Sequence, residues 1–305
     1  MTLTEQPDRA AQAGPTWPGD VALGVAAFFF GTTFVVVKDA IAEVEPSAFL
    51  AVRFLIGAAV LAVAAWGRPA SPREVRHGIV AGLALWVGYT AQTVGLQYTD
   101  PSTSAFLTYL VVVFVPILGW LFLRQRLHRA TGIGIALALV GLALLTGGRP
   151  GSGGLVEGIG RGELLTVGCA VAFAAHMLIL GRTAWRHDPV RLTCVQIATV
   201  GIASLVVSSL GGVDDVSFGG APLLAAAFTG VFATALAFLL MVWAQRSVSP
   251  SRAALILLLE PVFAALLSWL SGESLTLTSA IGGALILLAV AVSELLPNTL
   301  TSRSR

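Results

Sequence analysis

The chain reads twice. Gly19-Asp20, Phe30 and Pro46 return in the same order as Gly162-Glu163, Phe173 and Pro189, each 143 residues later. Towards the end of each copy, Pro116, Leu127, Gly134, Ala136 and Leu137 answer to Pro261, Leu275, Gly282, Ala284 and Leu285. A long internal repeat constrains the fold before any single residue does, because each copy must form a similar unit and the units must pack. Each copy holds five long apolar segments. Five is odd, so if the segments cross a bilayer the second copy enters from the opposite face. That is an inverted five-plus-five repeat, an arrangement that puts a binding site near the midplane between the halves.

Composition assigns the solvent. Hydrophobic residues make up 56% of the 305 and charged residues 11%, against about 25% charged in soluble domains. Mean hydropathy is +0.86. Such a chain expects lipid around most of its surface. A net charge of +2, with no dense basic run, excludes nucleic acid as a partner. Cys169 and Cys194 both fall in apolar segments and read as small core residues, with no disulfide framework or metal-ligand spacing. No P-loop is present, so ATP is not the direct energy source, and no cofactor is expected.

Spans are expected near 20–38, 47–66, 75–97, 101–123, 130–146, 162–181, 190–210, 220–244, 251–271 and 277–296. Each is close to the 17–25 residues that cross a hydrocarbon core, and each must be helical to pair its backbone internally. The fold class is therefore all-α membrane protein, ten transmembrane helices in two repeats. The expected organisation is a disordered tail at 1–19, a first repeat at 20–146, a Gly-rich linker at 147–161, a second repeat at 162–296 and a tail at 297–305. No small-residue cleavage pattern accompanies the first apolar segment, so it reads as a retained span. Pro46, Pro101, Pro189 and Pro250 stand where helices start, and Pro116 and Pro261 stand inside helices that they should bend.

Basic residues orient the chain. With the N-terminus in the cytoplasm, fourteen of the 18 Lys and Arg residues fall inside, three fall outside (Lys38, Arg149 and Arg161) and Arg53 lies within a span. This obeys the positive-inside rule in both halves. It puts both termini in the cytoplasm and the protein in a bacterial cytoplasmic membrane.

The halves resemble EamA domains of the drug/metabolite transporter superfamily. The resemblance rests on Gly19-Asp20 opening a span that ends in Phe30-Gly31, on Pro46 through Phe54, on Gly95-Leu96-Gln97-Tyr98-Thr99, and on Phe114-Val115-Pro116. In the second half it rests on Ser249 through Ala254, Leu259 through Phe263, and Gly272-Glu273. It covers nearly all of residues 20–296. Arg124-Gln125-Arg126 departs from the pattern, where a Glu is usual. The resemblance implies ten helices, an inverted repeat, cytoplasmic termini and transport of small metabolites or amino acids, often export. An intramembrane enzyme and a membrane sensor are the other classes that a helical scaffold of this kind can serve.

An ionisable group inside a bilayer is expensive and points to function. Arg53, about 9 Å from a span end at 1.5 Å per residue, is placed either to attract a carboxylate or to lock helix packing. Glu260, near mid-span and just before Pro261, is placed to bind and release a proton, to pair with a cationic group, or to hold a kink. His176 stands where the first repeat has Thr33, and serves either as a proton relay or as a histidine satisfied by a helix neighbour. No second ligand sits at i±4, so no metal site is expected. Trp86, Tyr89 and Thr93 share one helical face with Gln92 beside them. Tyr109 and Trp243 are the further aromatic residues expected to line a substrate wall, although Trp243 also reads as an interfacial anchor. Gln196 aligns with Arg53 across the repeat. Gly132, Gly134, Gly141, Gly282 and Gly283 mark close helix contacts, compatible with a monomer or a homodimer. The expected partners are thus a small-molecule substrate, lipid and coupling protons.

Overall fold

In a computed structural model of the protein, the described residues are 17–99, 101–124, 129–145, 160–211, 219–270 and 276–301. Among them every regular element is helical. The expected linker lies outside these residues as far as 159, as do most of the N-terminal tail, Gln125-Arg126 and Gly272-Glu273.

The first helical run is α1 (Trp17–Gly31) and α2 (Thr33–Glu43). It begins three residues before the expected span, with Pro18 tolerated in the first turn, and ends five residues beyond it. The run breaks at Thr32. There the Thr32 and Thr33 hydroxyls donate to the Phe29 and Phe30 carbonyls, each at 2.7 Å, in competition with the helical ladder. Helix α3 (Pro46–Ala64) starts where the Glu45 carboxylate accepts from the Ser47 and Ala48 N–H groups at 2.8 and 2.7 Å. Helix α4 (Pro72–Gly95) opens with a capping box between Ser71 and Glu74. Next come α5 (Pro101–Tyr109), α6 (Val111–Leu123) and α7 (Arg129–Leu145).

The second half begins with α8 (Arg161–Thr183) and α9 (Pro189–Leu210), the latter capped by Asp188. Then α10 (Gly220–Phe228) passes through a π-helical stretch, Thr229–Leu236, into α11 (Ala237–Ala244). The chain ends with α12 (Pro250–Leu257), α13 (Leu259–Leu270) and α14 (Leu277–Thr301). Residues 297–301, expected in a tail, continue the last helix; no glycine intervenes to end it.

Among the described residues six helical stretches are long and apolar enough to cross a membrane: Pro46–Ala64, Ser104–Leu123, Arg161–Arg186, Pro189–Leu210, Gly220–Ala244 and Pro250–Leu267. Trp17–Gly31, Gly132–Leu144 and Ala280–Val292 are shorter apolar helices. Helix α4 carries Arg73, Glu74 and Arg76 in its first turns and becomes apolar only beyond them.

Both internal prolines lie inside helices, Pro116 in α6 and Pro261 in α13. Near Pro261 the helix breaks at Leu258, whose N–H reaches back only to the Leu255 carbonyl at 3.2 Å. That fits a proline, which denies a partner to the carbonyl four residues earlier. The first-half break falls at Leu110, six residues before Pro116, so Pro116 is not its direct cause. The two breaks follow opening helices of 9 and 8 residues.

Packing pairs elements across the halves. Helix α7 lies along α14, α3 along α9, and α4 along α8, while α1 rests on α11, α12 and α13. A Cβ on Gly141 would come within 2.7 Å of the Gly282 carbonyl, so α7 and α14 meet backbone to backbone. Gly132, by contrast, faces open space.

The end of the bundle where α1, α4, α9 and α12 begin is tied by polar contacts between the halves. Arg252 donates to both carboxylate oxygens of Asp20, at 3.0 and 2.6 Å. Glu74, 1% exposed, accepts from Arg191 Nε and from the Asp188 N–H, both at 2.9 Å. Beside it, His77 Nδ1 and His187 Nε2 lie 2.7 Å apart, a distance at which one ring donates and the accepting ring must be neutral. Burial first, offset by Glu74 and reinforced by Arg186 and Arg191, holds His187 below the ordinary imidazole value.

The sign of the pH effect follows from that shift. A histidine with a lowered folded value takes up protons more readily when unfolded, so stability falls as pH drops below about 6.5. Purified protein in detergent should lose thermal stability between about pH 7 and pH 5, and His187→Gln should flatten that dependence. An unchanged slope in the variant excludes the pair as its source.

Candidate functional site

The helix pairs enclose one central cavity of about 110 Å³. Its floor and walls come from both halves. Arg53 on α3, Tyr89 and Gln92 on α4, and Thr108 and Tyr109 on α5 meet His176 on α8, Phe238 on the α11 helix, and Glu260 on α13. The apolar part of the lining includes Phe30, Phe173 and Met177.

Arg53 is 2% exposed and its Nε donates to Thr234 Oγ1 at 2.9 Å. Its guanidinium carbon stands 5.3 Å from the Tyr89 ring centroid and 5.5 Å from that of Phe54, within cation–π range. Glu260 is half-buried and has Tyr109 as hydrogen-bonding neighbour, with Arg53 within electrostatic reach. Cation and carboxylate thus share the cavity without forming a direct ion pair among the described contacts. His176 Nε2 and Gln196 Oε1 are 2.8 Å apart, which joins α8 to α9, and the His176 ring lies edge-on to Phe238 at 6.1 Å between centroids. Gln92 Nε2 donates to Thr108 Oγ1 at 3.1 Å.

The aromatic groups form a linked wall. Tyr89 meets Phe54, Phe173 and Phe238 edge to face, with centroids 4.9, 5.2 and 6.1 Å apart, and Phe30 meets Phe238 at 5.3 Å. Edge-to-face contacts fix the rings and leave their apolar surfaces facing a ligand.

Six of the eight residues singled out in the sequence line this cavity: Arg53, Tyr89, Gln92, Tyr109, His176 and Glu260. Trp86 and Trp243 do not. Trp86, three residues before Tyr89, packs half-buried against the apolar core. Trp243 is 42% exposed, as an anchor near a span end would be. Thr33 lines the cavity opposite His176, its counterpart in the repeat. Sequence reasoning missed Thr108 and Thr234. Thr108 stands next to Tyr109 and was within reach of a helical-face argument; nothing in the local sequence marks Thr234.

Among the described residues no group of three His, Cys, Asp or Glu side chains is arranged to hold a metal ion. The two cysteines are free thiols; Cys169 is buried, and the half-buried Cys194 thiol lies 3.7 Å from the Ala58 carbonyl.

A bundle of apolar helices around a largely apolar cavity, with a few polar groups drawn from both halves, has the form of a multi-pass membrane protein. Comparison with known proteins gives the family. The model of the EamA-like transporter family matches residues 17–147 and again 160–295, and the chain belongs to that family. An uncharacterized transporter of Archaeoglobus fulgidus is 32% identical over 279 residues, spanning 90% of this chain and 85% of that protein. The uncharacterized transporter YyaM of Bacillus subtilis is 26% identical over 276 residues, spanning 86% and 88%. A chain solved by crystallography superposes with a TM-score of 0.76 at 23% identity, over 92% of this chain and 98% of that one, and shares the fold. The protein is accordingly a multi-pass membrane transporter.

Proposed function

We propose that the protein is a secondary transporter that moves amino acids or related small zwitterions across the cytoplasmic membrane by alternating access, in the direction of export. The observation that carries this reading is the cavity itself. Arg53 from one repeat and Glu260 from the other flank an aromatic wall, a layout that offers a cation to a carboxylate, a carboxylate to an ammonium group, and apolar surface to a side chain. The repeat supports ten spans in two inverted halves, and the basic-residue bias supports cytoplasmic termini. A carboxylate within the cavity supports proton exchange as the energy source.

Reconstitution tests the proposal. Proteoliposomes loaded with a panel of radiolabelled amino acids should release an apolar or aromatic member when an inward proton gradient is imposed, and release should stop when the gradient is collapsed. Absence of gradient-dependent flux for the whole panel would overturn the reading.

A further inference from the structure

Helix α3 and the π-helical stretch are in backbone contact. A Cβ on Gly57 would lie 2.9 Å from the Gly230 carbonyl and 3.0 Å from Thr234 Cγ2, and a Cβ on Gly230 would lie 2.7 Å from the Arg53 carbonyl. On the second-half side the α-helix does not continue through this contact: residues Thr229–Leu236 adopt wider turns, and such π segments concentrate at functional sites. The spacing of four between Gly230, Thr234 and Phe238 nearly matches one wide turn. It aims Gly230 and Thr234 at α3 and hands Phe238 to the cavity. In the first half α4 is a regular helix over Pro72–Gly95. Gln196, which the repeat aligns with Arg53, is bonded instead to His176. The departure from helical geometry therefore occurs in the half that faces the arginine.

We propose that Thr234 is the positioning residue for Arg53, and that by occupying Nε it makes the guanidinium present its two terminal nitrogens end-on to a substrate carboxylate. The inference rests on the proposed reading of the cavity as an amino-acid site. Thr234 is fully buried and Arg53 nearly so, so the 2.9 Å bond is protected from water. A guanidinium has one Nε–H and two terminal amino groups, and a carboxylate can engage it either along the Nε side or across the terminal pair. With Nε held by the Thr234 hydroxyl and the Tyr89 hydroxyl a second hydrogen-bonding neighbour of the guanidinium, a ligand carboxylate is left the terminal nitrogens. The Thr234 hydroxyl thus reduces two carboxylate geometries to one, and fixes the distance between the carboxylate position and Glu260.

The test uses the purified full-length protein in detergent and two probes, L-phenylalanine and L-phenylalaninamide, whose Kd values are measured calorimetrically. The amide keeps the ring and the amine and lacks the carboxylate. Thr234→Val, which keeps the shape and removes the hydroxyl, should weaken phenylalanine binding about tenfold, the usual scale for a buried bond to a charged group. It should leave amide binding within twofold. Thr234→Ser should restore phenylalanine binding, and Thr234→Ala should repeat the valine result if valine impairs folding. Weakening of both probes alike would make Thr234 a packing residue and overturn the inference. Wild-type affinity in Thr234→Val alongside a loss in Arg53→Gln overturns the inference and leaves the amino-acid reading standing. Wild-type affinity in Arg53→Gln as well, or no saturable binding of phenylalanine to the wild type, removes that reading and the inference with it.

Discussion

Replacing Glu260 with Gln should abolish proton-driven accumulation, by 100-fold or more in initial rate under an imposed gradient, while leaving counterflow exchange of substrate measurable. The isostere keeps the shape and a hydrogen-bond partner for Tyr109. It removes the ability to bind and release a proton and the negative charge within reach of Arg53. If the carboxylate alone carries the coupling proton, the two modes of transport separate: exchange between equal pools needs only a reversible binding site, whereas accumulation needs a titrating group that changes exposure with the substrate. The pH profile gives a second reading. Wild-type exchange should vary with pH, and exchange by Glu260→Gln should not vary over the same range. Equal loss of both modes would assign Glu260 to substrate binding or to the Leu258 break, and retention of gradient-driven accumulation would remove it from coupling.

Much of this arrangement is legible in the sequence because membrane burial makes polar residues conspicuous. Arg53, His176 and Glu260 were visible as ionisable groups inside apolar runs, and each lines the cavity. The repeat likewise pointed to Thr33 and His176 as counterparts. Other features were hidden for physical reasons. The tryptophans were open to more than one reading because an aromatic residue in a span serves a cavity, the core or the interface equally well, and only the rotational setting of the helix decides: Trp243 is exposed near a span end, as the anchor reading has it, and Trp86 packs against the core. Thr234 was hidden because its position depends on π-helical turns, and the 3.6-residue period used to group residues into faces fails there. Glu74 had a readable signal, the Ser71-Pro72-Arg73-Glu74 pattern of a capping box, but its contacts with the other half lie more than a hundred residues away in the chain.

Glu74 should give the largest loss of stability of any single charge removal in the molecule. Its carboxylate does two things at once. One oxygen closes the capping box at the start of α4, 3.4 Å from the Ser71 N–H, and also accepts from Arg191 Nε at 2.9 Å. The other accepts from the Asp188 N–H at 2.9 Å, immediately before Pro189 starts α9. The group is 1% exposed and Arg191 is 26% exposed, so water compensates for little at the carboxylate itself. Removing one member of a buried, hydrogen-bonded pair typically costs about 3–5 kcal/mol, while the Ser71 hydroxyl still caps the helix and only the long 3.4 Å half of the capping box is lost besides. Glu74→Ala leaves the Asp188 N–H and the Arg191 guanidinium without this acceptor at the junction of the two repeats. Thermal unfolding in detergent should shift down by several degrees or more. Glu74→Gln should recover part of the loss, because an amide oxygen can still accept one of these bonds. The double variant Glu74→Ala with Arg191→Leu separates the causes: if the cost comes from stranding the arginine, the second substitution recovers stability, and if it comes from the cap and the Asp188 N–H, the second substitution recovers none. Unfolding of Glu74→Ala at the wild-type temperature would mean that the opposite-half contacts of α4 at this end are held by the His77–His187 bond and apolar packing.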